Sequence, residues 1–201
     1  MTKFIKNICV FSSSSNSLDK KFYEAAHDLG ILMGREGFNL VYGGSTRGSM
    51  GINAKAVKKA GGNVVAVIPE KLHEICEENK ECDNLFVTKC MRSRKEKLDQ
   101  ISDAVIALAG GFGTLEEVSE MITQKQLGYN SKAIVILNTD GFYDNLLKFF
   151  EEMIEQNFAD KESMEFYYVA RSPEEAVKYL KTYTPKEVDA SRKFLLGELN
   201  K

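Results

Sequence analysis

Ala104-Val105-Ile106-Ala107-Leu108-Ala109-Gly110-Gly111-Phe112-Gly113-Thr114-Leu115-Glu116-Glu117 passes from an unbroken apolar run, through a glycine cluster, into a helix-prone segment. The first six residues are apolar throughout, as in a strand covered on both faces. The glycines turn the chain. Thr114 can start a helix expected over 114–128. Strand, glycine turn and helix in that order are the unit of a parallel α/β sheet, and the same rhythm recurs along the chain. Strands are predicted at Asn7–Phe11, Asn39–Tyr42, 63–68, 85–88, 104–109, Ala133–Leu137 and 166–169, and helices near 18–36, 51–60, 92–101, 114–128, 143–157 and 173–182. Right-handed β-α-β crossovers then give a three-layer α/β fold with a mostly parallel sheet of about seven strands. Ser172-Pro173 reads as an N-cap followed by a first-turn proline.

The 201 residues fit one domain spanning 1–201, with a polar, helix-prone tail from Lys186. A formal charge of −2 gives no reason to expect nucleic acid or an anionic membrane as partner. No apolar stretch is long enough to span a bilayer and the first residues lack a signal-peptide core, so a cytoplasmic protein is expected. The four cysteines fit that compartment as thiols. His73, Cys76, Cys82 and Cys90 lack the close Cys-x-x-Cys pair of a zinc site, and no metal is expected.

Open sheets of this kind bind ligands beyond the carboxyl ends of their strands. Three loops of unusual composition leave those ends: Ser12-Ser13-Ser14-Ser15-Asn16, Gly43-Gly44-Ser45-Thr46-Arg47-Gly48-Ser49-Met50-Gly51, and the turn 109–114. A glycine turn before a helix aims backbone N–H groups and the positive end of the helix dipole at an anion. A plain tight turn accounts for the same letters. No Gly-Lys-Ser/Thr follows any glycine run, and Glu116 stands where a dinucleotide fingerprint needs its third glycine, so both familiar nucleotide loops are excluded. Glu117 reads equally as the far half of a capping box with Thr114 or as a functional carboxylate. Arg94 lies in a run whose charges can pair at i,i+4, Arg92 with Glu96 and Lys95 with Asp99, as a solvated face.

Gly110-Gly111-Phe112-Gly113-Thr114-Leu115-Glu116-Glu117 resembles the Pro-Gly-Gly-x-Gly-Thr-x-x-Glu signature of the Lonely Guy family, cytokinin riboside 5′-monophosphate phosphoribohydrolases often labelled lysine decarboxylases. Met91-x-x-Arg94-Lys95, the loop 43–51 and Asp140-Gly141-Phe142-Tyr143 resemble further elements of that family in the same order, from about residue 5 to about 180. The resemblance implies a Rossmann-like fold, a homodimer or higher homo-oligomer, no cofactor, and hydrolysis of the N-glycosidic bond of a nucleoside 5′-monophosphate. It makes Arg94 and Glu117 the catalytic pair. Gly110, Gly111, Phe112, Gly113 and Thr114 would cradle the phosphate, Glu116 would meet the ribose, and Met91, Lys95, Thr123 and Glu74 would line the pocket.

Ala109 stands for the signature proline, Ser12-Ser13 for Cys-Gly, Ser45 and Ser49 for a glycine and a leucine, and Gln124 for a tryptophan. These departures bear on base preference and pocket width. A non-catalytic nucleotide or molybdopterin-type carrier on the same fold is the alternative. A pyridoxal phosphate decarboxylase would need a Schiff-base lysine in a recognisable pocket, which the sequence does not offer.

Overall fold

The computed structural model describes residues 5–74 and 82–188. Seven parallel strands form one sheet: β1 (Asn7–Phe11), β2 (Asn39–Tyr42), β3 (Val64–Pro69), β4 (Asn84–Thr88), β5 (Ala104–Ala107), β6 (Ala133–Leu137) and β7 (Tyr168–Ala170). Between them run α1 (Lys20–Arg35), α2 (Gly48–Lys59), the single turn α3 (Glu70–His73), α4 (Met91–Ile101), α5 (Phe112–Gln126) and α6 (Asp144–Glu155), with α7 (Pro173–Thr182) last. The sheet is wholly parallel, in the order β4-β3-β2-β1-β5-β6-β7.

Strand alternation divides the core into two layers. Ile8, Val10, Leu40, Tyr42, Ile106 and Val135 face one side, where Leu29 and Met33 of α1, Val57 of α2 and Leu180 of α7 cover them. Cys9, Phe11, Val41, Val67, Val105 and Ile136 face the other, under Leu98 of α4, Val118 and Met121 of α5 and the apolar stripe of α6. Each fully buried Leu, Ile or Met contributes on the order of 1.5–3 kcal/mol. Both faces being covered accounts for the central strands without polar alternation, whereas the edge strand β4 leaves Leu85, Phe86 and Val87 exposed.

The expected elements are all present, with shifts at their ends that have local causes. β5 stops at Ala107, although Leu108 and Ala109 stay buried and Leu108 N–H still donates to Phe11 O (2.9 Å). The helix after it starts at Phe112, not Thr114, because Gly111 takes the extended N-cap conformation. Thr114 therefore sits inside the first turn, its hydroxyl donating to Ser12 O (3.2 Å), and the Thr114–Glu117 capping box, one of the two readings of Glu117, does not form. α7 begins as expected, Ser172 accepting from Glu175 N–H (3.3 Å). Short 3-10 turns at Thr139–Gly141 and Lys161–Glu165 and the turn α3 are additions that periodicity cannot reveal. Among the described residues no helix is long and apolar enough to cross a membrane. Most of the tail beyond Lys186 lies outside the described residues, as does Cys76.

The chain runs from β1 outward to β4, returns, and runs outward again from β5 to β7. The crevice beyond the ends of β1 and β5 is thus the topological switch point, where such sheets take their ligands.

Candidate active site

Arg94 lies one turn into α4, which is anchored by mutual bonds between Cys90 and Ser93: Cys90 N–H donates to Ser93 Oγ (3.1 Å) and Ser93 Oγ–H to Cys90 O (3.0 Å). From there the guanidinium reaches inward. Its Nε donates to Val67 O on β3 (3.2 Å) and its Nη1 to Glu117 Oε1 on α5 (2.7 Å). Arg94 is 7% exposed and Glu117 6%. A Cβ at Gly43 would stand 2.3 Å from Arg94 Nη2, so the first glycine after β2 is where the guanidinium passes the backbone. Arg94 therefore lies in a buried ion pair, not on the solvated face its neighbours suggest.

The expected pairing of Lys95 with Asp99 is also replaced. Lys95 turns to α5, pairing with Glu116 and with Glu120 (2.7 Å), while Asp99 pairs with Lys132. Glu116 and Glu120 raise the Lys95 pKa and keep it charged. Residues 94, 95, 116 and 117 thus form a two-storey arrangement, a buried Arg–Glu pair beneath a more exposed Lys–Glu cluster.

Burial raises the Glu117 carboxyl above the ordinary carboxylate range, and the Arg94 charge works against that rise without cancelling it. The result is a carboxylate fixed by a guanidinium yet poised to accept a proton more readily than a surface glutamate. Cys9, buried beneath it, is raised much further by the same desolvation and remains a thiol.

The turn above the pair is open. Phe112 is 92% exposed, and a Cβ added at Gly111 or Gly113 would meet nothing within 4 Å. Neither glycine has positive φ, so neither packing nor backbone strain within the chain demands glycine there. The first intrahelical bond of α5 runs from Leu115 N–H to Gly111 O (3.0 Å). The N–H groups of residues 112–114 precede it and have no acceptor within the helix, and no side chain caps them. An anion is the natural partner of such a helix start.

The serine loop, one of the three loops at the carboxyl ends of the strands, is bonded within the chain. Ser13 N–H donates to Ser49 Oγ (3.0 Å), Met50 N–H to Ser13 O (3.2 Å), and Gly48 N–H to Asn16 Oδ1 (2.9 Å). Ser13 and Asn16 thus close the start of α2, while Ser12 O accepts from Thr114 on α5.

Met91 opens α4 and is 46% exposed. Glu74 is exposed just after α3, and the bonds that hold Arg94 and Glu117 do not include it. Thr123 donates its hydroxyl to Ser119 O (2.8 Å) and lines a groove of about 150 Å³ between α5 and α6, with Ile122, Phe150 and Met153. Sequence reasoning missed the anchoring parts: Gly43, the Val67 carbonyl, and Tyr143, whose hydroxyl donates to Leu108 O (2.7 Å). Gly43 and Tyr143 both lie inside stretches that stand out by letter. The carbonyl carries no sequence signal.

A family described as possible lysine decarboxylase matches residues 50–180. The cytokinin riboside 5′-monophosphate phosphoribohydrolase LOG3 of Arabidopsis thaliana is 37% identical over 180 residues, covering 90% of this chain and 84% of that protein. LOG1 of the same plant is 38% identical over 189 residues, with 94% and 89% covered. Among solved structures, a molybdenum cofactor binding protein from Rippkaea orientalis superposes with a TM-score of 0.68 at 26% identity, covering 90% of this chain and 98% of that one. A molybdenum cofactor carrier protein from Chlamydomonas reinhardtii gives 0.66 at 22% identity, with 88% and 96% covered, a likeness of fold alone.

Proposed function

Because the chain belongs to the LOG phosphoribohydrolase family, we propose that it hydrolyses the N-glycosidic bond of a nucleoside 5′-monophosphate, either a cytokinin riboside monophosphate or AMP, to free base and ribose 5-phosphate. The observation that carries this reading is the buried Arg94–Glu117 pair, 2.7 Å apart, at the foot of the open turn of α5.

Cleavage of the bond passes through an oxocarbenium-like sugar. The Glu117 carboxylate stabilises that charge and orients and deprotonates the attacking water. Arg94, always protonated and with a fixed donor fork, stabilises negative charge developing on the departing base. Gly110, Gly111, Phe112, Gly113 and Thr114 receive the 5′-phosphate through backbone N–H groups, and Glu116, held by Lys95, meets the ribose hydroxyls. Met91, Lys95 and Glu74 complete the pocket, whereas Thr123 faces the groove between α5 and α6. The phosphate supplies binding energy away from the reacting bond, so substrates without it lose turnover as well as affinity.

The same reading makes residues 1–201 one catalytic domain, acting in the cytoplasm as a homodimer and without metal or organic cofactor. α6 supports the dimer: it is strongly amphipathic yet has no buried residue, and Phe149, Phe158 and Met164 nearby are exposed. The carrier alternative draws on the two cofactor-binding structures of the same fold. A carrier has no use for a buried carboxylate with a raised pKa beside a phosphate site.

The test is a panel of nucleoside monophosphates, with and without an N6 side chain on adenine, assayed for released base. Release of base and ribose 5-phosphate in equal amounts is expected. Full activity in Glu117→Gln, or tight nucleotide binding with no base released on prolonged incubation, sinks the reading.

A further inference from the structure

Tyr143 closes the 3-10 turn after β6 and opens α6, far in sequence from the phosphate turn, yet its hydroxyl is attached to that turn's base. The last rung between β5 and β6 joins Ala107 to Ile136. One residue further, the Leu108 carbonyl is bonded not by a strand but by Tyr143 Oη, at 2.7 Å. The Gly110 N–H on the turn itself works against the effect of burial on that hydroxyl. One buried hydroxyl therefore holds the carbonyl just before Ala109, where the chain leaves the sheet for the glycine turn.

The tyrosine is itself held from behind. Asn138 Oδ1 accepts from Tyr143 N–H (2.7 Å), Asn138 Nδ2 donates to Asp144 Oδ1 (2.7 Å), and Asn138 N–H donates to Ala170 O on β7 (2.8 Å). The Phe142 ring packs edge-on against it at 4.8 Å. Tyr143 is 5% exposed, and burial pushes its hydroxyl up to about 12, so it stays a neutral donor across the working range. On the far side the turn is tied by Thr114 to Ser12 O, with no room between Gly110 and Thr114 for a side chain. The turn is pinned at both ends and open between them.

We propose that Tyr143 is a positioning residue, whose hydroxyl sets the height at which the turn 110–114 presents its N–H groups to a 5′-phosphate. The inference rests on the reading of the turn as the phosphate site. Removing the hydroxyl frees the Leu108 carbonyl and lets the turn shift, and small displacements of a binding cradle are costly.

The test is Tyr143→Phe, which keeps the ring. Binding of AMP and of adenosine is measured by calorimetry in Glu117→Gln, which blocks turnover, with and without Tyr143→Phe. AMP is expected to bind about tenfold more weakly while adenosine changes less than twofold. In the otherwise unaltered enzyme the KM for AMP rises by a similar factor with kcat within threefold. Asn138→Ala, which loosens the same tyrosine from behind, should give the same pattern at smaller size. Unchanged AMP affinity overturns the inference and leaves the proposed function standing. Equal weakening of AMP and adenosine also overturns it, as general damage to the fold. If the unaltered enzyme binds AMP but releases no base, the function fails while the binding comparison still decides the role of Tyr143. If it binds neither AMP nor an adenosine monophosphate with an N6 side chain, both fall.

Discussion

Two glycine-containing turns stand beside the switch point of the sheet, one opening α2 and one opening α5, and by letter they look alike. At α2 the chain closes its own helix start: Asn16 and Ser13 accept the Gly48 and Met50 N–H groups. At α5 the first-turn N–H groups have no side-chain cap, and Gly111 and Gly113 face open space. A helix start satisfied from within the chain is structure. One left unsatisfied at the end of a central strand is available for binding. The functional carboxylate hangs on the second helix, and Arg94 reaches it only by passing the first glycine of the other turn. One turn shapes the wall, and the other meets the ligand.

The largest effect expected from breaking this division comes from the group on α5. Glu117→Gln should lower kcat for base release by about 10²–10⁴-fold, the usual worth of a positioned general base, with AMP still bound in a calorimetric titration. The amide keeps a hydrogen-bond acceptor for Arg94, so the fold should survive.

The same residue sets the acid side of the pH profile. Its folded pKa is raised, so the active carboxylate is lost, as pH falls, at a higher pH than an exposed glutamate near 4.3 would allow. A rate profile between about pH 4 and pH 8 should show that limb displaced upward. Stability runs with the opposite sign: the contribution is fully present below the unfolded pKa and is lost as pH rises through the folded one. Glu117→Gln should remove that part of the pH dependence of melting.

At the open turn itself, Gly113→Asp should separate binding from stability. A carboxylate in the first turn of a helix favours the dipole, so melting should hold or rise, while repulsion of the phosphate raises KM for AMP by about five- to thirty-fold. At the closed turn the smallest effect is expected, and of the reverse kind. Asn16→Ala should cost about 1 kcal/mol of stability in denaturant titration and leave KM within twofold. If Asn16→Ala raised KM as much as Gly113→Asp, the distinction between the two turns would collapse.

Much of this was legible in the sequence. Unbroken apolar runs separated by helical periods sufficed for the strands. Burial on both faces leaves no other composition in the central ones, while the edge strand β4 keeps an apolar run with its side chains exposed. The three loops at the carboxyl ends marked the right region. What the letters could not carry was the direction of side chains. Arg92, Arg94 and Lys95 look equivalent in a charged run, yet Arg94 is drawn into the core by a carbonyl on β3 and a carboxylate on α5. Glu117 has the spacing of a cap but not its role, since the helix begins two residues early and Thr114 is taken by Ser12. Tyr143 was visible only as part of a quoted segment, because its partner is a main-chain carbonyl 35 positions away.

The Arg94 side chain joins α4, β3 and α5 and lies against the loop after β2. An allele that truncates it strands a buried carboxylate, a loss of about 3–5 kcal/mol, enough to deplete the protein in a cell before any question of chemistry arises. Complementation experiments at this position would therefore score dosage and turnover together. Alleles at position 117 that keep the amide shape would score turnover alone, which makes that codon the cleaner genetic probe of the reaction.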